Sequence, residues 1–153
     1  MASDAPTTEK PPLVMQLIVD PAAAATFSWP KGPWMAQAAH AAIAVIQMSA
    51  KSPNTQEYVG PSNLTSMHKV VLALPTSGKS KTDLRELSKK LTEARARDQE
   101  GRATSATDQD EEFPGHFLWI EQPEDVPTCL AVAPNRKPAE LKKLLRSCTL
   151  LKD

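Results

Sequence analysis

Residues 12–20, PLVMQLIVD, narrow the fold more than any other stretch. Apart from Gln16 and the closing Asp20, both alternating faces of this run are apolar. A strand with one wet face alternates polar and apolar residues. A strand apolar on both faces has to be covered above and below, as central strands of α/β sheets are. A cover follows directly in the chain. The Ala-rich stretch 33–51 predicts a helix, with Trp34, Met35, Ala36, Ala39, Ile43, Val45, Ile46 and Met48 around most of its circumference. Such a helix is expected to be packed on most sides. Its polar residues Gln37, His40 and Gln47 share one narrow stripe with Ala44.

The remaining pattern completes an alternating chain. Residues 21–32 read as a loop, and 52–68 as a long connection with a short helix near Gln56–Val59. Residues 69–74, KVVLAL, form a second strand. The Ser80-to-Asp83 spacing fits a capping box, and Leu84, Leu87 and Leu91 mark the apolar face of a helix running to about Arg97. Residues 98–115 are polar and read as a flexible insertion. HFLWIE (116–121) and TCLAVA (128–133) are two further strands, and Pro138 opens a last helix burying Leu141, Leu144 and Leu145. The order β-α-β-α-β-β-α predicts a layered α/β domain with a mixed sheet. One domain spans 12–153, after a disordered tail at 1–11.

With 153 residues, 41% of them hydrophobic, the chain can bury one core. Lys and Arg balance Asp and Glu at 18 each, so any nucleic-acid site has to be a local patch. Two cysteines, Cys129 and Cys148, do not make a disulfide framework, and Cys129 reads as a small core residue. No apolar run reaches the ~18 residues of a membrane span, and the N-terminus lacks a signal or transit pattern. A cytoplasmic location is expected, with a mature organellar form left open.

Four places offer chemistry. Gly32-Pro33 reads as a helix start, with Gly32 near the cap and Pro33 at the first helical position. Free backbone N–H groups, the helix dipole and Lys31 would suit an anion there. Gln37 and His40 lie one turn further on. His40 alone reads as a core histidine, its pairing with Gln37 on one stripe points to a site, and no accompanying ligand spacing suggests a metal. Lys81, Arg85 and Lys89 share an i,i+4 row that could meet a phosphate backbone, or simply form a solvated, ion-paired face. In WIEQPEDVPT, Glu121 ends one strand and Thr128 begins the next, with Glu124 and Asp125 in the turn. Carboxylates so placed can serve as general bases or merely face solvent. TSGKSKT (76–82) lacks the first glycine of a phosphate-binding loop and reads as a turn.

Together FSWP, AQAAHAA (36–42), KVVLAL, EQPE and TCLAVAP (128–134) resemble the archaeal/eukaryotic type-2 peptidyl-tRNA hydrolases. They resemble more closely the peptidyl-tRNA hydrolase domain-containing subfamily. The resemblance covers residues 13–152 apart from 98–115. It implies a single-domain, three-layer α/β/α fold with a mixed four-stranded sheet. It also implies hydrolysis of the ester joining a peptide to the tRNA 3′ end, with no required metal or cofactor. The implied partner is peptidyl-tRNA or tRNA, with the ribosome a further candidate and no membrane. Transferred residue by residue, Gln37, His40 and Thr128 match positions given catalytic roles, and Glu121, with Asp125 in reserve, stands for the family's aspartate. Lys31 and Gly32 match the family's Lys-Gly loop, but Pro33 occupies its second lysine. Lys31, Gly32, Lys81, Arg85 and Lys89 are the expected substrate-binding set. The alternative is a catalytically impaired module on the same fold that binds tRNA, ribosome or protein.

Overall fold

The structure is a computed structural model and describes residues 9–104 and 111–152. Strand β1 (Met15–Val19) is the middle of a five-stranded sheet ordered β3-β4-β1-β2-β5. It runs parallel to β2 (Lys69–Ala73), with Leu17 opposite Val71, and antiparallel to β4 (Val126–Val132), with Ile18 opposite Leu130. On the outside, β3 (His116–Glu121) pairs with β4, and β5 (Thr149–Leu150) pairs with β2, both antiparallel. All five residues of β1 are buried, as the apolar run requires. The sheet is mixed as expected but has five strands, not four. Two residues of β5 are too short a run to carry a period.

Alternation along the strands divides the core in two. Ile18, Leu130 and Val132 join Leu84, Leu87 and Leu91 of α4 (Leu84–Thr104) and Leu141 of α5 (Ala139–Leu144). Met15, Leu17, Val19, Cys129 and Ala131 join Ala41 and Val45 of α2 (Lys31–Met48) and Tyr58 of α3 (Pro53–Tyr58). Neighbouring strand residues point to opposite faces, so the two clusters lie on opposite sides of the sheet. The Cys129 thiol is fully buried among apolar side chains, which pushes its pKa up to about 12.

The segment expected as a loop after β1 contains a helix, α1 (Pro21–Thr26). Asp20 caps it, accepting from the backbone N–H groups of Ala22 and Ala23, and Pro21 takes the first helical position. Its end is closed by two reversed hydrogen bonds, Ser28 N–H to Ala25 O and Trp29 N–H to Ala24 O. Ser28 is left-handed at φ 50°. This turn sends the chain into α2. That helix begins at Lys31 after Pro30, two residues before the expected start, so Pro33 sits inside the first turn. Nor is α2 packed on most sides. Only Ala41 and Val45 are buried, while Met35 and Ile43 are 73% and 70% exposed.

Helix α4 differs from expectation at both ends. Its cap is Asp83, which accepts from Glu86 N–H, and Ser80 lies three residues outside. It continues to Thr104, seven residues beyond Arg97, so the first part of the expected insertion is helical. The far end of that segment is anchored as well. Phe113 is buried, its N–H bonds the Asp98 carboxylate, and Glu111 accepts from Arg136 N–H. Residues 105–110, the middle of the expected insertion, lie outside the described residues, as do residues 1–8 of the expected tail. Arg136 also donates to Pro11 O and Asn54 and, through Nη2, to both carboxylate oxygens of Glu57, tying the start of the described chain to α3.

Candidate functional site

The candidate site lies where the start of α2 meets the turn that joins β3 to β4. A cleft of about 410 Å³ is lined there by Pro33 and Gln37 of α2 and by Glu121, Val126 and Thr128 of the strands. Gln122 and Glu124 of the turn and Phe27 and Trp29 of the α1–α2 turn complete it.

A bulge in the sheet builds the polar centre. Trp119 pairs with Cys129, but the next residue, Ile120, pairs with Pro127, so Thr128 is the extra residue with no partner on β3. Without the bulge, Thr128 would follow Leu130 and Val132 toward α4. The bulge turns it to the α2 side. There its hydroxyl donates to Gln37 Oε1 at 3.3 Å, with Trp119 O a second acceptor at 3.4 Å. A hydroxyl has one proton and cannot serve both carbonyls fully. Turning the Gln37 amide by 180° lets Nε2 donate to Thr128 Oγ1 while the hydroxyl donates to Trp119. That orientation also turns Oε1 outward as an acceptor. The pair can thus present either a donor or an acceptor to the cleft.

Trp119 links the other two candidates. Its ring stacks on the His40 imidazole with centroids 4.4 Å apart and planes 15° from parallel. Its Nε1 donates to Glu121 Oε2 at 3.0 Å. The carboxylate is therefore held by one oxygen, and no described residue bonds Oε1. His40 is exposed on the same helix as Gln37, but it does not line the cleft.

The other expected residues fall elsewhere. Asp125 sits in the turn at φ 56°, with its side chain 70% exposed, and pairs at 3.3 Å with Arg85 on the α4 side. It does not reach the cleft, because a left-handed residue just before β4 aims its side chain away. Lys31 and Gly32 do not line the cleft either. Starting α2 at Lys31 leaves Pro33, which has no N–H, as the first-turn residue that faces it. Lys81 precedes α4, which breaks the expected row with Arg85 and Lys89. Arg85 and Lys89 instead border a separate shallow hollow beside Ser88 and Leu118. The sequence reading did not single out Phe27, Trp29 or Trp119 as site residues. Aromatic residues flanking a turn and two residues from a strand-end carboxylate were the available signal.

The sequence of residues 13–151 matches the family model of the peptidyl-tRNA hydrolase PTH2. The chain belongs to the PTH2 family. The human protein named "Putative peptidyl-tRNA hydrolase PTRHD1" is 34% identical over 128 residues, covering 84% of this chain and 74% of that protein. The mouse protein of the same name matches to the same extent. Among the described residues that line the cleft of this PTH2 chain there are carboxylates and amides but no lysine or arginine. Among the described residues, no three His, Cys, Asp or Glu side chains cluster as a metal centre, and no helix is long and apolar enough to cross a membrane.

Proposed function

We propose that the chain hydrolyses the ester between a peptide and the 3′ end of tRNA. A three-layer α/β/α arrangement is part of this reading. The observation that carries it is the meeting of Gln37, Glu121 and Thr128 at one cleft in a PTH2 chain. Glu121, held through Oε2 by Trp119, has Oε1 to take a proton from a water. The water oxygen attacks the ester carbonyl, and the Gln37 amide donates to the developing oxyanion. Collapse breaks the bond to the ribose oxygen, which takes the proton from Glu121, giving tRNA and a peptide carboxylic acid that releases its own proton to solvent. Thr128 holds the amide at the angle the oxyanion needs. His40 acts through Trp119, fixing the indole that orients the carboxylate. Arg85, Lys89 and Lys81 offer cations for tRNA phosphates on the α4 side.

A second reading rests on Pro33. It lines the cleft where the family resemblance calls for lysine, and no other described lining residue is a cation. On this reading the fold binds tRNA without turnover. Incubation with N-acetylated aminoacyl-tRNA separates the two. The hydrolase reading expects release above the spontaneous rate in the natural sequence. Release only after Pro33→Lys would mark the natural chain as a binder.

A further inference from the structure

One feature of the cleft has no part in the hydrolytic step. Phe27 and Trp29 stack on each other, with centroids 5.6 Å apart and planes 16° from parallel, and both line the cleft wall. Phe27 is 50% exposed, so the stacked pair is open to solvent on its side. The arrangement is held by the closure of α1. The two reversed hydrogen bonds fix the turn, and Ser28 between the rings adopts the left-handed conformation that usually falls to glycine. A side chain held there at a conformational cost marks a turn whose shape matters.

The charge of the cleft limits what the rings can receive. Its ionisable lining residues are Glu121 and Glu124, so a phosphate inside it would be repelled. A planar, uncharged group with N–H donors on its edge fits both the ring faces and the acceptor-rich rim. Stacking on aromatic side chains is how proteins hold unpaired bases, and carboxylates and amides read amino groups on base edges.

We infer that Phe27 and Trp29 form a stacking shelf for the terminal adenine of the tRNA 3′ end. The inference rests on the hydrolase reading for its substrate and goes beyond it by naming the subsite. The adenine stacks on the shelf with its exocyclic amino group toward the carboxylate rim. The ester on the adjoining ribose then lies near Gln37 and Thr128, and the phosphates of preceding nucleotides stay outside.

The test is binding of the trinucleotide CCA to the full-length protein, followed by NMR, with inosine-terminated CCI and N-acetylphenylalaninamide as controls. Saturable CCA binding is expected. Trp29→Ala and Phe27→Ala should each weaken it by about 5- to 150-fold, the range of one lost base stack. Trp29→Tyr should stay within about threefold of wild type, and CCI should bind more weakly than CCA. Circular dichroism checks that each variant is folded. Absence of saturable CCA binding, unchanged affinity in both folded alanine variants, or preference for N-acetylphenylalaninamide would overturn the inference. Turnover with an unaltered KM in both variants would overturn it while leaving the hydrolase reading intact. CCA binding that depends on Trp29, without turnover of N-acetylated aminoacyl-tRNA, would uphold the shelf and reject hydrolysis.

Discussion

Replacing Thr128 with valine separates a positioning role from a structural one. The side chain is 1% exposed and its hydroxyl bridges Gln37 and Trp119 O. Valine has nearly the same shape, so no cavity forms and only the hydroxyl is lost. Both contacts, at 3.3 and 3.4 Å, lie at the long end of the hydrogen-bond range. Gln37 borders the open cleft, where water can replace the lost partner. The stability cost should therefore sit near the lower end for one hydrogen bond, about 0.5–1 kcal/mol. That corresponds to roughly 1–4 °C in Tm for a chain of this size. The kinetic cost should be larger, because an amide free to rotate no longer offers a fixed donor to the oxyanion. A loss of about 30-fold in kcat corresponds to roughly 2 kcal/mol of transition-state stabilisation. Urea denaturation and single-turnover hydrolysis of N-acetylated aminoacyl-tRNA read the two effects separately, and Thr128→Ser should recover most of both. If Thr128→Val loses more than about 2 kcal/mol of stability yet keeps kcat within twofold, the hydroxyl is a buried structural bond, and the positioning argument is wrong.

Trp119→Phe keeps a ring against His40 but removes the donor to Glu121. It should cost about three- to tenfold in kcat/KM, as expected for one hydrogen bond to a partly solvated carboxylate, and wild-type kinetics would show that Trp119 does not orient Glu121. Asn135 is fully buried and exchanges hydrogen bonds with the buried Gln16 amide, while also bonding Ala133 O and Lys137 N–H. Asn135→Leu leaves several of these groups unpaired and should destabilise by about 3–5 kcal/mol; urea unfolding within 1 kcal/mol of wild type would contradict the burial argument. His116 accepts from or donates to Ser88 at 2.7 Å, and burial first, then the Arg95 charge, holds its pKa below the usual 6.5. The unfolded chain therefore binds more protons below about pH 6.5, and stability should fall as pH drops through that value. His116→Gln should flatten this slope in urea titrations between pH 5.5 and 7.5, and an unchanged slope would assign it to other groups. Gly78 sits at φ 82° in the turn before α4 with open space around it, so Gly78→Ala should cost about 1 kcal/mol through the backbone alone.

The central strand was legible because burial on both faces writes an unmistakable pattern, and β1 follows it. Helix α1 was written too, in Asp20-Pro21 followed by four alanines, a cap and first-turn signature hidden by the absence of any large apolar residue. The exposure of Met35 and Ile43 was not legible, since an apolar side chain on a helix carries no mark of which neighbours arrive. Lys81 failed for a local reason. Asp83 is the better cap, and once it starts α4, residues before it leave the helical row. In the candidate site, Gln37, Glu121 and Thr128 were named from the sequence and do meet. What brings Thr128 to α2 is a one-residue bulge, and an irregularity of register depends on pairing between strands that no single strand encodes. Asp125 and Lys31 were placed by proximity in sequence, but a left-handed residue and a two-residue change in helix start carry them away from the cleft.

The account stands most directly on turnover of N-acetylated aminoacyl-tRNA. It predicts multiple turnovers above spontaneous hydrolysis, reduced about 100-fold or more by Glu121→Gln and by Gln37→Ala in folded protein, as loss of a base or an oxyanion donor implies. Release no faster than the spontaneous rate with enzyme stoichiometric to substrate, or turnover indifferent to both substitutions, would contradict it.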